Sequence, residues 1–388
     1  MKSMTPVVAI MAVFTLAVCF ILIGSIAEEL KANLKIDNND IGSLTFIFFL
    51  VCIGTQLLAG PMVDKFGHKV LAITGFLVVC ASIFLLAYAT DFTMATVAAV
   101  LLGIGAICCN TVGNTLIPVI LFEGKEPARA SNFGNAFFGL GFVVTPFLIS
   151  MLMSDMQVSY TVTLSILGGL VFLFAIASVT PSYPQVSTGF QMSMALQLLG
   201  RPAVLVAALA LIGYMSLEPS MSTWIKPLMT ELYTKEGSAA ATRNAGYVLA
   251  LFGLSMAVGR FIASSIKNLS ALGANLIAIC AVVSIAAIGL LATTTTSTMA
   301  IVAVVLIGLV FAPIFPTIVG VTFGKYEPKL YGSIFGIIFS VGLLGSMLVP
   351  KAIGMFSVGS SLQQGLWIAA GMAGVLLVLS LVLGKAKG

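Results

Sequence analysis

Glu218 stands in Tyr214-Met215-Ser216-Leu217-Glu218-Pro219-Ser220-Met221-Ser222-Thr223-Trp224, a carboxylate followed at once by proline inside a long apolar run. Pro219 takes away a backbone donor, which predicts a kink and a freed carbonyl. A carboxylate at such a kink, with Trp224 close behind, has the ingredients of a sugar site. The carboxylate bonds hydroxyls, and the indole stacks on the apolar face of a pyranose. The plainer alternative pairs Glu218 with Lys226 or leaves it near a membrane surface. Glu28 and Glu29, late in the first apolar run, are the next acids. Consecutive helical residues point roughly 100° apart, so at most one of the two faces a central cavity. There it would exchange a proton or give oxygen ligands to Na⁺; otherwise both simply mark the membrane surface. Asn110 and Asn114 are four apart, on one helical face with Thr111 beside them. Asn132 and Asn135 follow, and Gln56 is a further candidate. Amides donate and accept, which suits a polyol; they serve equally as glue between membrane helices.

The elements that must position these residues follow from composition. The chain has 388 residues, of which 60% are hydrophobic and only 8% charged, with a mean hydropathy of +1.15. A chain with so little charge is a polytopic helical membrane protein, because lipid forces every backbone polar group to be satisfied within the segment. The alternating pattern of a membrane barrel is absent. Twelve spans are expected, over 6–30, 40–62, 70–89, 93–121, 128–153, 158–179, 202–231, 243–265, 270–292, 298–323, 329–356 and 363–384. Pro181-Ser182-Tyr183-Pro184 opens the one plausible linker, 181–199, between bundles 1–180 and 200–388. The fold class is therefore all-α: twelve transmembrane helices in two related six-helix bundles.

Of the eighteen lysines and arginines, twelve fall at one set of span ends, from Lys2, Lys65 and Lys69 through Arg201 and Arg260 to Lys385 and Lys387. Six fall at the other: Lys31, Lys35, Lys226, Lys235, Arg243 and Lys351. The positive-inside rule then puts both termini in the cytoplasm. The net charge of +5 reflects this loop asymmetry rather than affinity for nucleic acid. All six cysteines lie in apolar runs and the one histidine is His68, so the cysteines are read as packing residues without disulfides. No metal cluster, Ser-His-Asp set or phosphate loop is present to suggest an enzyme, and no cofactor is expected beyond a coupling ion.

Between the second and third spans runs Gly60-Pro61-Met62-Val63-Asp64-Lys65-Phe66-Gly67-His68-Lys69. Gly60 permits close helix approach, Asp64 suits the positive end of a neighbouring helix, and Gly67 allows a tight reversal. Lys65 and Lys69 hold the turn at the cytoplasmic surface. Gly259-Arg260 and Lys267 echo it weakly after the eighth span, without the aspartate. In Phe311-Ala312-Pro313-Ile314-Phe315-Pro316-Thr317, two prolines break the tenth span.

This spacing of Gly, Asp-Lys and Gly-x-Lys between long apolar runs resembles the major facilitator superfamily of transporters, and the resemblance covers essentially the whole chain. Within it the sequence is most similar to the fucose permease-like sugar–cation symporters. Asn110, Asn114, Asn132 with the following Phe-Phe-Gly-Leu-Gly, Glu218, Trp224 and Pro313 to Pro316 carry that closer match. The resemblance implies alternating access by two rocking bundles, with uptake of a small polar solute, a sugar first, coupled to H⁺ or Na⁺. It implies a monomer in a bacterial inner membrane, contacting only solute and lipid. One departure bears on coupling: the fucose permease has a carboxylate on its fourth helix, where this chain offers only Asn110 and Asn114, so Glu28, Glu29 or Glu218 must serve. Drug–proton antiport is the alternative; its usual arginine in the fourth helix is replaced here by Leu101-Leu102-Gly103. Lys226 and Lys351 keep an organic-anion carrier in view. A non-transporting sensor lacks a soluble domain to signal with, and no pore loop suggests a channel.

Overall fold

The computed structural model describes residues 4–121, 127–184, 191–264, 269–327 and 330–385. Inside its helices the side chains of Asp64, Pro118, 127–132, Asn135, Ser264, 269–272 and Tyr331 lie outside that description, so the readings of Asp64, Asn132 and Asn135 lie outside the described residues. All regular structure among the described residues is helical. Among the described residues twelve helices are long and apolar enough to span a membrane. The first six are Thr5–Ser25, Asn38–Val63, Lys65–Ala87, Phe92–Ile117, Ala136–Asp155 and Tyr160–Ala177. The second six are Pro202–Lys235, Ala241–Ala263, Gly273–Thr293, Ser297–Phe323, Gly332–Val358 and Leu362–Leu383. Every expected span has its helix. A short helix, Met192–Leu199, lies in the segment between the two sets.

With twelve spans the first helix begins and the last one ends on the same face, and the opposite face carries a set of polar helix starts. Asp37 and Asp40 form a reciprocal capping box ahead of the second span, with Asp40 N–H donating to Asp37 Oδ1 at 3.0 Å and Asp37 N–H to Asp40 Oδ2 at 3.2 Å. Asp91 accepts from Met94 N–H at 2.9 Å before the fourth span, and Ser361 from Gln364 N–H at 3.2 Å before the twelfth. These caps satisfy amide donors where the chain leaves lipid.

Helix breaks follow the residues that impose them. Gly67 turns the chain between the second and third spans with φ 79° and ψ 162°, a conformation that only glycine adopts without strain. Lys65 and Lys69 of that turn are exposed, while Gly60 is buried. The tenth span divides at Ala312-Pro313 into helices Ser297–Phe311 and Ile314–Phe323. The carbonyl that Pro219 frees, that of Met215, accepts a hydrogen bond from Ser346 Oγ of the eleventh span at 2.8 Å. A buried carbonyl left without a donor would cost about 1–3 kcal/mol.

The two bundles close on each other over the half of the molecule away from the termini. A Cβ on Gly24 of the first span would overlap the Ser222 carbonyl of the seventh, and one on Gly246 of the eighth would overlap the Ser150 hydroxyl of the fifth. Glycine is what lets these backbones approach so closely. We expect Gly24→Ala to prevent this closure, because the neighbour it meets is backbone and cannot rotate away. Overpacking of this kind costs about 1–3 kcal/mol, roughly five- to a hundredfold in the equilibrium between closed and open forms. Faster labelling of a cysteine placed at Ser222 by a membrane-impermeant maleimide reads the shift; an unchanged rate would show that this contact does not hold the face shut.

Candidate functional site

Glu218 lies at the middle of the 34-residue helix Pro202–Lys235 and is buried. One turn before it, Tyr214 projects from the same helical face and its hydroxyl donates to Glu218 Oε2. The Arg260 guanidinium, from the eighth span, interacts electrostatically with both. Arg260 also lies over the ring of Phe138, its Cζ 5.2 Å from the centroid, and Phe138 belongs to the fifth span in the other bundle. That distance is within the range of a cation–π contact. Its Nη1 is buried and has no hydrogen-bond acceptor among the described residues. A phenol, a carboxylate and a guanidinium thus meet at the seam between bundles, with one charged donor left over.

Aromatic rings surround this cluster on both sides. Tyr214 packs against Phe311 and Phe315 at 6.3 and 6.2 Å, and Phe315 against Phe335 and Phe339. Across the seam Phe138 lies 4.9 Å from Phe142 and edge-on to Phe20. In the first bundle the expected amides do come together: Asn110 Nδ2 donates to Gln56 Oε1 at 3.2 Å, and Asn114 Nδ2 to Asn110 Oδ1 at 2.7 Å. This ladder joins the second and fourth spans and ends at Asn114, which is exposed.

Other expected site residues are placed elsewhere. Trp224 is fully buried and is not beside Glu218; its Nε1–H donates to the Pro350 carbonyl at 3.0 Å, and its ring covers Gly354. Six residues along a helix are about 9 Å and most of two turns, which carries the indole away from the Glu218 face and onto the eleventh span. Arg260, grouped by sequence with the cytoplasmic end of its span, instead reaches back to the seam. Its long side chain separates the charge from the backbone position. Glu218 and Lys226 are not paired either, since Lys226 is taken by Glu29.

Glu28 and Glu29 sit beyond a break at Ile26 (φ −114°, ψ 13°) that starts the short helix Ala27–Leu34. The break swings both acids to the closed face. Glu28 pairs with Lys31 at 2.7 Å. Glu29 receives Lys226 at 2.7 Å on each carboxylate oxygen, and Lys226 also donates to the Ser25 carbonyl at 2.5 Å. Two more clamps cross the seam on this face. Lys351 of the eleventh span donates to Ser43 Oγ at 2.6 Å and to Asn39 of the second. Asp155, at the end of a π-helical turn Met151–Asp155, accepts from Arg243 at 3.2 Å and from the Tyr247 hydroxyl. Sequence reasoning missed Tyr214, Asp155 and Tyr247. Tyr214 had a signal in its spacing of four from Glu218; the partners of Asp155 are too distant in sequence to have one.

The family model described as Major Facilitator Superfamily matches residues 8–350. Among curated proteins, the chromaffin granule amine transporter of Homo sapiens is 26% identical over 312 residues, 76% of this chain and 57% of that protein. The synaptic vesicular amine transporter of Bos taurus is 24% identical over 315 residues, 77% and 58% of the two chains. The chain spans about three fifths the length of these relatives. Among solved structures, the nucleoside transporter NupG superposes with a TM-score of 0.77 at 16% identity, covering 100% of both chains. A bacterial homolog of the human lysosomal transporter Spinster, inward-facing and occupied, has a TM-score of 0.75 at 13% identity, covering 98% of this chain and 96% of that one. At such identities the likeness is one of fold.

Proposed function

The chain belongs to the major facilitator superfamily, a secondary transporter of small solutes, and we propose that it imports an uncharged polyhydroxylated solute, a sugar first, driven by H⁺ or Na⁺. The observation that carries this reading is the Tyr214–Glu218–Arg260 cluster at the seam. It offers an acceptor, a donor and a spare guanidinium nitrogen among aromatic rings, with the Asn110–Asn114 amides in the facing bundle. Hydroxyl groups both donate and accept, so a sugar uses such a mixed set more fully than an ion of either sign. On this reading the bundles are 1–180 and 200–388, joined by 181–199, and the protein is a monomer in a bacterial inner membrane. Both termini are cytoplasmic, as the charge bias of twelve to six requires, so the clamped face is outward and closed. The finer kinship with fucose permease-like symporters belongs to the same proposal.

Two competing readings are weakened by particular residues. The amine relatives suggest an organic cation, but Arg260 places a positive charge in the site. Lys226 and Lys351 suggested an organic anion, but both are spent on the clamps. Sugars, nucleosides, aromatic amines and organic anions screened against the melting temperature of the purified protein decide among these. A ligand at about 100 times its Kd adds about 2.7 kcal/mol to the stability of the folded state. We expect stabilisation by one or more sugars; stabilisation by amines or anions alone would overturn the proposal.

A further inference from the structure

We infer that Arg260 is a built-in cation that makes this transporter reject cationic solutes. A carboxylate beside an aromatic face is the usual recognition pair for an organic ammonium ion. This chain has both parts, Glu218 and Phe138, on opposite sides of the seam. Its curated relatives are amine transporters by name. Yet the place a substrate ammonium would take is filled. The Arg260 guanidinium stands over the Phe138 ring at 5.2 Å, within electrostatic range of the Glu218 carboxylate.

Two features distinguish this from a structural ion pair. The contact to Phe138 crosses between bundles. Among the described residues Nη1 also remains without an acceptor, so the side chain is not held there by a full set of hydrogen bonds. A guanidinium placed only to neutralise Glu218 would be expected to use its planar fork in two parallel bonds. Specificity is often obtained by a repulsive element rather than an added attraction. A bound amine would have to share the site with a fixed positive charge, whereas a neutral hydroxylated ring would not. Loss of Arg260 would restore the ammonium site with Glu218 and Phe138 already in place.

This rests on the seam cluster being the solute site, and the test separates the two ideas. Phenethylamine and its uncharged isostere phenethyl alcohol are titrated against purified wild type, Arg260→Gln and Arg260→Lys. We expect Arg260→Gln to bind phenethylamine roughly tenfold or more tightly than wild type, with no comparable gain for phenethyl alcohol. Arg260→Lys keeps the charge and should reject the amine as wild type does. Adding Glu218→Gln to Arg260→Gln should remove the gained binding. Arg260→Met, of similar length and uncharged, replaces the glutamine variant if that does not fold. No gain of amine binding in a folded uncharged variant overturns the inference. If wild type is stabilised by a sugar in that same case, the sugar reading stands. Wild type that binds phenethylamine as tightly as the variant overturns the inference, and if no sugar stabilises it the sugar reading falls too.

Discussion

Lys226→Met opens the clamped face. Lys226 is only 1% exposed and Glu29 14%, and they meet across the seam between the first and seventh spans. Bringing an ammonium and a carboxylate into such a setting costs several kcal/mol per ion, and here two carboxylate contacts and the Ser25 carbonyl repay it. Removing one partner leaves the other charge without compensation, a loss of about 3–5 kcal/mol. The stranded Glu29 is relieved by opening the face to water, so the penalty falls on the closed form and not on the fold. Even the lower figure shifts the equilibrium roughly a hundredfold. Labelling of a cysteine at Ser222 should accelerate accordingly, and solute uptake should slow because the return to the closed form is impaired. Pairing Lys226→Met with Glu29→Leu removes both charges and should restore much of the closure. If the single variant labels no faster than wild type, the ion pair is not what holds this face.

Glu218→Gln is the second large effect, and its two outcomes assign a role. The change keeps size and some hydrogen bonding but removes the charge, leaving Tyr214 and Arg260 without their carboxylate. Losing a hydrogen bond to a charged group costs about 1.5–3 kcal/mol, roughly ten- to a hundredfold in affinity. If Glu218 touches the solute, binding falls by that factor. If it carries the coupling proton instead, binding and exchange persist while accumulation against a gradient is lost. Glu28 and Glu29 are engaged in ion pairs at the clamped face, which leaves Glu218 as the coupling candidate of the three. Binding and gradient-driven uptake are measured separately, across pH and Na⁺. A variant normal in both would leave Glu218 a structural residue.

The spans were legible because lipid imposes one rule on every helix, so the boundaries at Gly67 and the break at Pro313 follow from composition and proline chemistry alone. The freed Met215 carbonyl was also foreseeable from Pro219, although its partner Ser346 was not. Contacts across the seam were not readable in this way. Nothing local tells Lys226 to choose Glu29, 197 residues away, over Glu218 on its own helix. Trp224 was misplaced because nearness in sequence was taken for nearness on a face. Arg260 was misplaced because a long side chain moves its charge far from the backbone position that the hydropathy pattern locates.

The bond between Ser346 and the Met215 carbonyl has a consequence for how this sequence can change with time. While Pro219 is present, losing the Ser346 hydroxyl strands a carbonyl in the interior. Once position 219 becomes an ordinary helical residue, its own amide takes up that carbonyl and the hydroxyl becomes dispensable. A lineage can therefore drop the proline first and the serine afterwards at little cost, whereas the reverse order passes through a damaged intermediate. The two sites, 127 positions apart, are bound to a mutational order by a single hydrogen bond.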